Sequence, residues 1–213
     1  MVAFRIAFVI VLAALAAAPA RADNGSASWT QAAYGSRSSD QQLFDRAFDT
    51  RPAGSLEEVV RKLSLAIDML SRYRVPKEAP HIYRVPKAEM ENYVCGSNCN
   101  IQAWYRPGDG IFLVDTLHPE SDLMHRSILL HELVHYFQDR SGAYGDRSSC
   151  ERWYQRELDA YNIQNRYLGV IGSPSRVAFT ADNCANMESK ARVEADHTQT
   201  FGQNTLRSAP DRD

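Results

Sequence analysis

Five consecutive residues, His131-Glu132-Leu133-Val134-His135, place two imidazoles and a carboxylate at a spacing that suits metal-assisted hydrolysis. Side chains four apart on a helix lie one above the other on the same face, about 6 Å apart at their bases. Two ring nitrogens at that separation converge on one zinc ion, a metal that proteins hold mostly through imidazole, thiolate and carboxylate. Glu132 is rotated about 100° from His131. It therefore flanks the ion without having to bind it, and is placed to take a proton from activated water. Leu129, Leu130, Leu133, Val134 and Phe137 surround the pentad with apolar side chains, as in a core helix. Two polar rings buried there must be bonded to something.

A catalytic zinc takes a third protein ligand and keeps one position open. Glu157 follows His135 by 22 residues, beyond a loop containing Gly142 and Gly145. That length lets the chain reverse and lay a second helix, expected over Ser149 to Tyr167, against the first. Trp153, Ala160, Tyr161 and Gln164 share the side of this helix that carries Glu157. On that mostly apolar stripe an unpaired carboxylate would cost several kcal/mol. Glu151, Asp159, His125 and His197 are the competing third ligands.

At these residues the sequence resembles the gluzincin type of zinc metallopeptidase, with His131-Glu132-Leu133-Val134-His135 followed by Glu157-Leu158-Asp159-Ala160-Tyr161 as the glutamate-bearing helix. The resemblance, over roughly residues 110 to 165, implies a small α+β zincin-like domain, mainly helical with a short antiparallel sheet or hairpin. It implies Zn2+ bound by His131, His135 and Glu157, with Glu132 as base and then proton donor. It also implies a peptide or protein substrate laid along an edge strand at Ile111 to Val114. Many relatives carry an Asp four residues after the glutamate ligand to orient a zinc histidine, whereas this chain has Tyr161. Asp139 is the substitute that the sequence offers. Ser141 stands where a metzincin would place its third histidine, which excludes that branch. Tyr136, Tyr144, Tyr161 and His197 are the candidates for a second donor to a tetrahedral oxyanion.

The elements that must hold these groups are legible from periodicity. A helical pattern runs from about Pro119 to Arg140 before Ser141-Gly142 breaks it. Ser55 and Glu58 have capping-box spacing. Behind them Leu56, Val59, Val60, Leu63, Ala66, Met69, Leu70 and Tyr73 recur at three and four, with Pro76 as the expected stop. A shorter helix begins near Asp40, with Leu43, Phe44 and Ala47 on one face. Ile101, Ala103 and Tyr105 alternate with polar or larger neighbours, and Pro107-Gly108-Asp109-Gly110 turns the chain into Ile111 to Val114, which reads as a hairpin. Tyr73-Arg74-Val75-Pro76-Lys77 recurs at Tyr83 to Lys87, but the period never returns, so no repeat architecture follows. Residues 23 to 41 read as a loose entry segment and 186 to 213 as a flexible tail, leaving 23 to 185 as the domain.

The chain has 213 residues, with 24 Lys plus Arg against 26 Asp plus Glu, for a formal charge of -2. There is no basic excess for nucleic acid. Arg5, the apolar run Ile6 to Ala18 and Ala20-Arg21-Ala22 make a signal peptide over residues 1 to 22, cleaved before Asp23. Those thirteen apolar residues rise only about 20 Å as a helix, short of the roughly 30 Å needed for a permanent membrane span. Secretion or periplasmic export then permits disulfides; four cysteines allow three pairings, of which proximity alone favours Cys95 with Cys99 and Cys150 with Cys184, with a zinc thiolate cluster as the rival reading. The sequence thus reads as an exported zinc-dependent endopeptidase. The alternatives are a zinc hydrolase acting on cell-wall or other non-protein amides, and a non-catalytic zinc-containing binding protein. Intact Glu132 argues against the last, since holding zinc does not require it.

Overall fold

The computed structural model describes residues 28–35, 39–145 and 149–179. In order these form α1 (Trp29–Tyr34), α2 (Asp40–Ala47), α3 (Leu56–Leu70), β1 (Ile82–Val85), α4 (Lys87–Cys95), β2 (Ala103–Arg106), β3 (Gly110–Val114), α5 (Leu123–Ser141) and α6 (Cys150–Val170). The result is the α+β class expected, mainly helical with one small sheet. The expected signal peptide and the whole of the expected tail lie outside the described residues. No helix among the described residues is long and apolar enough to cross a membrane.

α5 is the centre of the arrangement, in contact with α3, α6, β2 and β3. Asp122 caps its start by accepting the His125 N–H, and Gly142, in the left-handed conformation, closes its end. Leu129, Leu130, Leu133 and Val134 are fully enclosed, as are Val59, Leu63, Ala66 and Ile67 of α3. The stripe read from periodicity in α3 is the buried face, although the helix stops at Leu70 rather than running on to Pro76. Ser71 helps to end it, donating its hydroxyl back to the Ile67 carbonyl at 2.6 Å.

Two details of the helix starts differ from expectation. Ser55 accepts the Glu58 N–H, but the Glu58 carboxylate turns to the Gly54 N–H at 2.9 Å and to Lys62. The reciprocal capping box forms at Ser39 and Gln42 instead. α1 falls within the stretch expected to be loose, and Ala33 anchors it in the core.

The sheet has the order β1-β3-β2. β2 and β3 form the expected antiparallel hairpin, with Tyr105 opposite Ile111. β1 adds a parallel partner on the other side of β3, with Ile82 opposite Ile111 and Val85 opposite Val114. The strand Ile111 to Val114 is therefore the central strand, not the edge expected from the resemblance. β2 is the outer strand that meets α5. β1 comes from the second copy of the short sequence repeat, whose Pro86 then opens α4. A side chain at Gly110 would lie 2.3 Å from the His81 carbonyl oxygen, so the start of β3 is reserved for glycine.

Arg126, only 1% exposed, staples two loops to the start of α5. Its guanidinium donates to the carbonyls of Pro119 (3.0 Å), Asp49 (2.9 Å), Arg51 (3.2 Å) and Glu120 (3.0 Å). Beside it the Asp49 carboxylate pairs with Lys62 at 3.1 Å. Hydrogen bonds from Arg51, with the Lys62 ammonium, hold that carboxyl well below the usual range despite its burial.

Candidate metal centre

His131 and His135, one turn apart on α5, turn their Nε2 atoms toward each other at 3.1 Å. Glu157, from the middle of α6, brings Oε2 to 3.2 Å from the first nitrogen and Oε1 to 3.2 Å from the second. With bonds of about 2.0–2.1 Å, donors on a tetrahedral zinc are separated by about 3.3 Å, so these spacings fit the ion. One donor atom from each of the three residues lies within 4.8 Å of the others. The competing carboxylates go elsewhere. Asp159 accepts from Tyr73 at 2.5 Å and Tyr144 at 3.2 Å, and Glu151 from Gln155 at 3.0 Å. The His125 Nδ1 accepts the His118 N–H at 3.1 Å. His197 lies outside the described residues.

The partners on the far sides of the rings say more. His131 Nδ1 is 3.2 Å from Gln164 Oε1, and His135 Nδ1 is 3.0 Å from Gln138 Oε1. Both amides are oriented by their nitrogens. Gln164 donates to Ser127 Oγ at 3.1 Å, and Gln138 to the Arg156 carbonyl at 3.0 Å. With both amide oxygens facing the rings, each Nδ1 carries the proton and each Nε2 presents a lone pair. Two lone pairs opposed at 3.1 Å in a buried site repel unless a proton or a metal cation lies between them. The donor set is thus pre-arranged for a cation.

Electrostatics of the metal-free chain agree with this. Burial alone would raise the Glu157 carboxyl, but the two imidazoles outweigh it and hold the group well below its usual range. Burial disfavours a cation on His135, yet Glu157, Glu132 and Gln138 together push its pKa well above the ordinary histidine value. Glu132 is pushed up by burial, with both imidazoles pulling against the shift. Its Oε2 accepts the backbone N–H of Tyr105 on β2 at 2.8 Å. The sheet edge therefore adjoins the carboxylate beside the triad.

Asp139, expected to orient a histidine, instead binds Arg156 at 2.8 Å and the Tyr105 hydroxyl at 2.7 Å. The orienting role falls to the two glutamines. The sequence places Gln164 on the side of α6 that carries Glu157 but gives it no role, and it gives none to Gln138. The available signal was its placement, three residues after His135 on a buried helix face. Among the oxyanion candidates, Tyr136 donates to the Glu78 carbonyl at 2.8 Å and Tyr144 bonds to Asp159. Tyr161 alone of the described candidates packs on a ligand, its ring 4.4 Å from that of His131.

Residues 52–193 match the family model for a domain of unknown function, DUF6647. The chain belongs to the DUF6647 family. No curated protein and no solved structure matches it significantly. The matched stretch of this DUF6647 protein contains α3 through α6, and hence the whole triad, while α1 and α2 precede it. His131, Glu132, His135 and Glu157 match the gluzincin pattern of two histidines, an intervening glutamate and a downstream glutamate. This DUF6647 domain carries the machinery of a zinc-dependent hydrolase.

Proposed function

We propose that the protein is an exported zinc peptidase that cleaves peptide bonds in extended substrates. His131, His135 and Glu157 hold Zn2+, and Glu132 serves as base and then acid. The observation that carries this reading is the convergence of two imidazole lone pairs and one carboxylate beside a second carboxylate that stays out of the cluster. A zinc ion held there supplies Lewis acidity to a carbonyl and acidifies water. Glu132, through the oxygen that Tyr105 leaves free, takes the proton released by the attacking water and returns it to the departing amine. Tyr161 supplies the donor for the oxyanion. Its hydroxyl has no partner among the described residues, and its pKa is raised by burial and by the charges of Glu157 and Glu132.

A peptide substrate is supported by the outer position of β2 in the sheet, where an extended chain can lie beside the site. Export is supported by the Cys95–Cys99 disulfide and by oxidised Cys150, since such bonds persist outside the reducing cytoplasm. The expected partner of Cys150, Cys184, lies outside the described residues.

The deciding experiment compares metal content and peptide-library cleavage for the native chain and Glu132→Gln. The substitution should keep zinc and lower turnover by about 10²–10⁴-fold. Equal turnover would remove Glu132 from the mechanism, and stoichiometric zinc without any cleavage by the native chain would favour a binding protein. Glu157→Ala should weaken zinc affinity, and an unchanged affinity would move the third ligand elsewhere.

A further inference from the structure

After α6 the chain reverses at Gly172, which has φ 72°, and returns along the helix it has just left. Residues 173 to 179 carry no regular secondary structure, yet exposure alternates along them, every second residue being half-buried as in a strand lying on a surface. Asn165 grips this segment with both ends of its amide. Its Nδ2 donates to the Val177 carbonyl at 2.8 Å, and its Oδ1 accepts the Val177 N–H at 2.9 Å. This is the pairing a neighbouring strand would give, supplied by one side chain.

The grip delivers Phe179 to a particular place. Its ring stacks on Tyr161 at 5.1 Å with 23° between the planes. It also lies 5.3 Å from Tyr154 and 6.1 Å from Trp153. On α6, Tyr154 and Tyr161 stand three residues before and four residues after Glu157, so Phe179 lies at the level of that ligand on the same helix face. Tyr161 in turn packs on His131. None of these four aromatics belongs to the main hydrophobic core, and Trp153 remains 38% exposed. An aromatic cluster that adds nothing to the core and adjoins the triad has the character of a binding site with its occupant in place.

We propose that Trp153, Tyr154 and Tyr161 form the subsite for an aromatic or large apolar substrate side chain, and that Phe179 fills it as an intramolecular stand-in. Ser173 to Phe179 is then a strap that must lift before a long substrate can seat. The proposal rests on the peptidase reading for its consequence, but the subsite itself can be tested without catalysis or metal. Among the described residues its hydrogen bonds to α6 are the Asn165 pair at Val177 and the Ser173 N–H to the Leu168 carbonyl, so it opens more readily than the core. A competitor tethered in this way lowers apparent affinity by the fraction of chains in which it is released.

The test uses the full chain, Phe179→Ala and Asn165→Ala, each metal-free and zinc-loaded, titrated by calorimetry with N-acetylphenylalaninamide and N-acetylalaninamide. Phe179→Ala should bind the phenylalanine amide roughly tenfold more tightly than the native chain, Asn165→Ala should show part of that gain, and the alanine amide should gain in neither. The gain should be present without metal. No gain in either variant, or equal gains for the two amides, overturns the proposal. If the gain appears but no chain cleaves peptides, the subsite stands and the peptidase reading fails. If peptides are cleaved but the gain is absent, the peptidase reading stands and Phe179 is packing.

Discussion

Two buried polar sites share α5, and they are built on opposite terms. Near its start, Arg126 is closed off by four backbone carbonyls from two loops, and every contact it makes is favourable without help from outside the chain. A little more than one turn further on, His131 and His135 are also buried but face each other through atoms of the same kind. The first site is complete and works as a fastener. The second is completed only by a cation, and the glutamines behind it maintain that incompleteness by fixing which nitrogen carries the proton. Burial of a polar group therefore does not by itself distinguish architecture from chemistry. What distinguishes them is whether the chain supplies the last partner.

The contrast can be broken in order of effect. Arg126→Met should cost about 3–5 kcal/mol, because it strands buried carbonyls. Denaturant unfolding should show this loss equally with zinc and with a chelator. A loss seen only in the zinc form would mean that the two sites are coupled. His135→Leu combined with Glu157→Leu should leave the metal-free chain at least as stable as the native one, since apolar replacement of a buried ionic pair is commonly neutral or stabilising. It should also abolish the rise in melting temperature on adding zinc. A marked loss of metal-free stability would show the cluster to be a fastener as well. Gln164→Leu should weaken zinc binding by about 10–100-fold, measured by competition with a chromogenic chelator, while unfolding changes less than for Arg126→Met.

The smallest effect concerns acid. The Asp49 carboxyl has a folded-state pKa below its unfolded value, near 3.9. Its contribution is complete above that value and is lost as pH falls through the folded pKa. Asp49→Asn should flatten the decline in stability below about pH 4 without altering zinc affinity at neutral pH. An unchanged acid profile would assign the decline to other carboxyls.

What could be read from the residues in advance divides along similar lines. The four-residue spacing of His131 and His135 and the apolar stripes of α3, α5 and α6 are local regularities, and local regularities survive folding. Glu157 was reachable because a carboxylate on an apolar stripe needs a partner. β1 was not, since its pairing with β3 is parallel and joins residues far apart in sequence. α4 shows hardly any amphipathic pattern, and Pro86 leads into it without a side-chain cap. Asp139 had plausible spacing on α5, but Arg156 on the facing helix claimed it. The β2–β3 hairpin was legible in its turn, but which strand lies at the edge depends on a third strand that alternation within the hairpin does not reveal.

The amide that Tyr105 offers to Glu132 has an effect that outlasts any choice of side chain at that strand position. With one oxygen tethered to the sheet, the glutamate is restrained from swinging inward to become a fourth ligand and shut the centre to substrate. The tether is main chain, so ordinary mutation at position 105 cannot erase the donor, and only proline would delete it. The placement of Glu132 is thus insured by backbone rather than by residue identity, and sequence drift along β2 can reshape the surface beside the triad without displacing that carboxylate.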